Sequence, residues 1–309
     1  MRNIVPDGMS NEEQILSFLT RLEALLKRAE YLLPQEIKAI DWDKTLAARW
    51  KRKNGCGALY PVHRPHMLSL DSLVAIDDQK ERIDKNTRQF VEGGVANNVL
   101  LTGAPGTGKS SLVKAMLQRY AQQGLRLIEV DRNDLFDLPD IVAHLDALPQ
   151  RFVIFCDDLA FDSQESGYRE LKAVLDGSIM APPDNVLIYA TSNRRHLMPT
   201  FFHENFTYHE NDTEIRPGEG KDEKVSLAER FGLWISFYNF SEDDYWQAVN
   251  GWLQYFGVAL PQTDQEREAL RLNALQWARM RGAVSGRVAW QFARDYVGGQ
   301  ALTQHNEKS

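Results

Sequence analysis

A chain of 309 residues, 43% of them apolar and 26% charged, is ordinary for a soluble globular protein and long enough for a main domain with one or two smaller modules. Its formal charge of -7 argues against a surface dominated by nucleic-acid binding, although a local basic groove fits within that balance. Cys56 and Cys156 form no CxxC pair, no apolar stretch reaches the length of a membrane span, and residues 1–6 lack the apolar core of a signal peptide. A cytoplasmic protein with reduced thiols and no membrane partner is the expectation.

Ser10 followed by Glu13 fits a capping box, and Ile15, Phe18, Leu19, Leu22, Leu25, Leu26 and Ala29 then recur as one helical stripe. Such a stripe predicts a helix packed on the rest of an N-terminal helical module, residues 1–67. Trp42, Leu46 and Trp50 extend a shorter amphipathic pattern. The cluster Arg49, Lys51, Arg52 and Lys53 is either a solvated face or the chain's best candidate for contact with a nucleic-acid backbone. His63 and His66 have no metal-ligand partners at useful spacing and read as linker residues.

From residue 68 the composition changes, and a nucleotide-binding domain is expected over 68–240. Val74 and Ile76 make a small apolar patch suited either to covering a nucleotide base or to ordinary packing; a helix should follow over about 78–91. Asn98-Val99-Leu100-Leu101-Thr102 is of strand type. Directly after it, Gly103-Ala104-Pro105-Gly106-Thr107-Gly108-Lys109-Ser110 satisfies G-x-x-x-x-G-K-[ST] in full, with Ser111 next and a helical pattern through Leu117. A strand, a glycine loop and a helix in that order aim backbone N–H groups and a helix N-terminus at one point, as a polyphosphate requires. Lys109 is then the group for the β- and γ-phosphates, and the Ser110 hydroxyl is a ligand for Mg2+.

A second strand is predicted over 125–130 and a helix around 138–148. Phe152-Val153-Ile154-Phe155-Cys156-Asp157-Asp158 reads as a strand buried on both faces with carboxylates at its end. Ligands bind beyond the carboxyl ends of parallel strands, so both acids should face the phosphates. Asp157 is the expected Mg2+ partner, and Asp158 the group that polarises the attacking water. Residues 185–193 form another buried strand, ending in Asn193, which is placed to bond the γ-phosphate or orient water. Arg194 and Arg195 belong either to the site or to a basic rim, and an acidic stretch from 198 to about 224 reads as a loop. Arg230 stands just before a last strand, 233–237, where it suits a transition state loaded with negative charge or an ion pair with Glu229 or the acidic loop. Residues 241–309 predict a helical region of three helices, the last opened by Ser285-Gly286-Arg287 and ended by Gly298-Gly299. A cation in a helix's first turn opposes the dipole, and a phosphate bound near Arg287 would remove that conflict.

In their order along the chain, the phosphate loop, Asp157-Asp158, Asn193, Arg230 and Arg287 resemble the Walker A, Walker B, sensor 1, arginine finger and sensor 2 of the AAA+ ATPases. Residues 73–80, 97–101 and 226–234 more closely resemble the bacterial ATPases of the domain-of-unknown-function 815 family, a likeness spanning about 42–297. The resemblance implies an α/β P-loop core with a five-stranded parallel sheet, a C-terminal helical lid and an N-terminal helical extension. It further implies ATP with Mg2+ as ligands, and a homo-oligomeric ring or partial ring in which Arg230 reaches a neighbour's γ-phosphate. A macromolecular client, protein before DNA, follows on the same terms, with a slowly hydrolysing switch or a DNA-associated loader as the alternatives. Asp158 stands where such proteins usually carry Glu, and Ala75 where the family's nucleotide-covering segment commonly has Gly.

Overall fold

The computed structural model describes residues 11–30, 39–53, 55–159, 167–176, 183–193 and 228–306. The readings made for Arg194, Arg195 and the acidic stretch lie outside them. The chain runs α1 (Asn11–Glu30), β1 (Ala47–Lys53), β2 (Cys56–Pro61), α2 (Asp77–Val91), β3 (Val99–Gly103), α3 (Lys109–Tyr120), β4 (Leu125–Val130), α4 (Leu138–Asp146), β5 (Arg151–Cys156), α5 (Gly167–Asp176), β6 (Val186–Ser192), β7 (Leu233–Phe237), α6 (Glu242–Tyr255), α7 (Asp264–Met280) and α8 (Gly286–Asn306).

The expected five-stranded sheet has seven strands, in the order β2-β1-β4-β5-β6-β3-β7. Five of these, β4-β5-β6-β3-β7, are the parallel core. Parallel β1 and antiparallel β2 extend it as a hairpin. The helical reading of Trp42, Leu46 and Trp50 is thereby corrected. Apolar residues four apart match a strand's period of 2 as well as a helix's 3.6, and here the pairing of β1 with β2 and β4 decides for the strand. Trp50 turns inward and donates Nε1–H to Asp137 at 2.8 Å, while Arg52, on the same face, bonds the same carboxylate at 3.2 Å and lies over Phe136.

The parallel strands are buried on both faces, which their runs of Leu, Ile, Val and Phe require. One core packs Ile128, Ile154 and Ile188 against Leu138, Ile141 and Leu145 of α4 and Leu171 of α5. On the opposite face Leu101, Val153 and Tyr189 meet Ile83 and Phe90 of α2 and Leu112 and Met116 of α3. A third core, built around Tyr245, Val249, Ala274 and Phe292, joins α6, α7 and α8 and has Val74 of the main body packed on it.

Two further expectations change. Among the described residues the stripe of α1 is not packed: Ile15, Phe18, Leu19, Leu22 and Leu25 are exposed. The last helix does not end at Gly298-Gly299 but runs on to Asn306. Each glycine costs a helix about 1 kcal/mol, and tertiary packing through Tyr296 and Val297 just before them offsets such a propensity cost. Among the described residues no helix is long and apolar enough to cross a membrane.

Candidate nucleotide site

Because β3, β5 and β6 run parallel in one sheet, their carboxyl ends lie along one edge, and the segments after them converge there. A cavity of about 460 Å³ opens at that edge. Its lining includes Gly106, Thr107, Gly108, Lys109, Ser110 and Ser111 of the loop, together with Asp157, Asp158, Asn193, Arg287, Val74 and Ile76.

The loop is held open for a ligand by its own backbone. Gly108, at φ 101°, forms the N-cap of α3 in a left-handed conformation that a side chain would strain, and no side chain caps the helix there. Gly106, at φ 79°, also leaves room for Ser285, whose Oγ would lie 2.9 Å from any added Cβ. Arg287 N–H donates to the Gly106 carbonyl at 3.2 Å, pinning the first turn of α8 to the phosphate loop. Thr107 Oγ donates to the Ala104 carbonyl at 2.8 Å.

Lys109 is 5% exposed, and its ammonium donates to the carbonyls of Gly103 and Ala104, each at 2.8 Å, and to Asn193 Oδ1 at 2.9 Å. Burial pulls its pKa down to about 8. Asp157 and Asp158 oppose that shift and Arg287 adds to it. Ser110 Oγ donates to Asp157 Oδ1 at 2.7 Å, so a hydroxyl and a carboxylate face one another as an Mg2+ site of this kind needs. Asn193 Nδ2 donates to Asp158 Oδ1 at 2.5 Å. Asp158 itself sits at φ 56°, a left-handed position that Asp tolerates better than most residues. One amide thus touches both the lysine and the second acid.

Several contributors went unread in the sequence. Thr191 Oγ donates to Asp157 at 2.5 Å and accepts from the Asp158 amide at 2.9 Å, fixing both acids. A threonine inside a buried strand has no signature of its own; its place two residues before Asn193, on the same face of β6, was the available signal. Lys114 lines the cavity one turn beyond Ser110. His66, expected in a linker, lines it too, as do Trp252 and Trp290 of the lid.

Ala75, between the two apolar residues expected against the base, has φ 61°. The conformation is glycine's, which gives a physical reason for the glycine common at that point in the family it resembles. Arg230 is not in the cavity lining; it forms an ion pair with Asp176 at the end of α5. Of the basic run, Arg49 pairs with Glu129 at 2.6 Å and Arg52, on the other face of β1 from Arg49, Lys51 and Lys53, pairs with Asp137.

A parallel sheet with a phosphate loop after β3, acids after β5 and an amide after β6, with the first turn of α8 against the loop, makes an α/β fold that resembles the AAA+ ATPases. Two single-substitution variants of Thermotoga maritima RuvB share it, each with a TM-score of 0.52, at 16% and 15% identity; the alignments cover 76% of this chain and 66% and 67% of theirs. A FIGL-1 AAA domain in complex with ADP is similar at 18% identity and a TM-score of 0.49, over 74% of this chain and 72% of that one. The chain belongs to the family described as Protein of unknown function (DUF815), whose model matches residues 43–300. It spans about two thirds of the length of the RuvB chains, and no curated protein matches it.

Proposed function

We propose that this chain is an Mg2+-dependent ATPase of the AAA+ type, assembled from several copies, that remodels a macromolecular client. The observation that carries the reading is the convergence of Lys109, Ser110, Asp157, Asp158, Asn193 and Arg287 on one cavity. Backbone N–H groups at the start of α3 and the Arg287 guanidinium take the phosphate charge, and Lys109 exchanges its carbonyl partners for β- and γ-phosphate oxygens. Ser110 and Asp157 are the residues to hold Mg2+, which when bound neutralises charge on those oxygens. Asp158 accepts the proton of the attacking water while Asn193 holds that carboxylate in position. Val74 and Ile76 cover the base. Arg230, which does not line its own cavity, serves a neighbouring subunit.

The test is a pair of variants. Lys109→Ala should abolish ATP binding in calorimetry. Asp158→Ala should bind ATP normally and lose about two to four orders of magnitude in turnover, the usual worth of a positioned base. Should Asp158→Ala turn over ATP as the parent does, the second reading takes over: a nucleotide-dependent switch that hardly hydrolyses. What favours that alternative is the short Asp158 side chain, already engaged by Asn193.

For the client, protein is preferred to nucleic acid. The chain is acidic, and of the basic run Arg49 and Arg52 are neutralised by acids of its own. Lys51 and Lys53 remain for the DNA-loader alternative, with Lys53 lying over the Tyr60 ring.

A further inference from the structure

Arg230 sits among packed neighbours. Ala228 and Phe231 beside it are buried, Trp234 Nε1–H donates to the Ala228 carbonyl at 2.9 Å, and the Asn97 amide fills the space where a Cβ on Gly232 would sit. With its backbone fixed this way, the guanidinium, 23% exposed, meets the Asp176 carboxylate, 41% exposed. Asp176 is the last described residue of α5. Neither residue lines the cavity of its own chain.

We propose that Asp176 is a latch for Arg230. It keeps the guanidinium on its own subunit until the nucleotide of an adjoining copy offers a more highly charged set of oxygens, and Arg230 then exchanges carboxylate for phosphate. No bond is made or broken; one ion pair replaces another. The inference rests on the reading of Arg230 as a group supplied to a neighbour. Because the pair is part-exposed and modest in strength, it raises the threshold for productive assembly without blocking it.

Specific ATPase activity of the full chain against its own concentration tests this, with parent, Asp176→Asn, Asp176→Glu and Arg230→Ala compared. Asp176→Asn should reach half-maximal activity at about two- to fivefold lower protein concentration, with the same plateau and the same KM for ATP. Asp176→Glu should restore the parent's curve, and Asp176→Ser gives a second neutral variant if the Asn form melts early. A lowered plateau in both neutral variants would mean that Asp176 aims the arginine, and superimposable curves would mean that it does nothing; either result overturns the latch. Parent-like activity in Arg230→Ala would instead remove the trans-acting role itself, whatever Asp176 does.

Discussion

Burial lowers the Lys109 pKa to about 8 in the folded chain, against an ordinary lysine value of 10.5, so its charged form is penalised in the empty site. Below about pH 8 that penalty is present in full and opposes folding; as pH rises from 8 through 10.5 it is relieved, because the folded chain gives up the proton first. Nucleotide binding has the opposite dependence, since phosphate oxygens favour the ammonium. ATP affinity should therefore hold steady below about pH 8 and weaken by up to about tenfold per pH unit above it, whereas a lysine of ordinary pKa would hold to about pH 10. Calorimetric titrations between pH 7 and 9.5 would show the slope, and Lys109→Arg, which keeps its charge, should flatten it; a parent without any slope below pH 9.5 would refute the assignment. At this scale the loop residues were legible because their spacing has one chemical use, and Asp157, Asp158 and Asn193 because each follows a buried parallel strand. Thr191, His66 and Lys114 were not, since each owes its place to what packs above it.

The element that composition misled on is the β1–β2 hairpin. Its spacing of four suits helix and strand alike, and nothing local chooses between them; the pairing of Ala47, Ala48 and Arg49 with β4 does. The hairpin is fastened on one side by Trp50 and Arg52 to the largely buried Asp137. Asp137→Ala should leave the buried indole N–H and the guanidinium without that acceptor and cost about 1–3 kcal/mol. Hydrogen exchange should report the loss first in residues 47–61, ahead of β3, β5 and β6; uniform exchange across the sheet would contradict a separately fastened hairpin. The core strands, by contrast, were readable at nearly their full length, because a strand buried on both faces must be an unbroken apolar run. The exposure of the α1 stripe was not readable, because periodicity says which face is apolar and nothing of what covers it.

For the molecule as a whole, the proposed service of Arg230 to a neighbouring copy would make activity a property of assemblies. Mass measurement should find oligomers promoted by a slowly hydrolysed ATP analogue, and Arg230→Ala should keep ATP affinity while losing about three to five orders of magnitude in turnover. A monomer at all concentrations with full activity would end that account. The order of elements along the chain carried the fold class; the size of the sheet did not follow, because the two extra strands precede residue 68, where the nucleotide-binding domain was expected to begin.

The outer edge of β7 bears on how copies meet. Gln79 of α2 donates to the Ser236 carbonyl at 2.9 Å, and Arg82 of the same helix donates to that of Trp234. Those outward acceptors are thus spoken for, so an incoming chain cannot zip onto this margin by main-chain pairing without first evicting two side chains. In the proposed assembly a copy beside β7 would therefore meet side chains and not an open run of carbonyl acceptors.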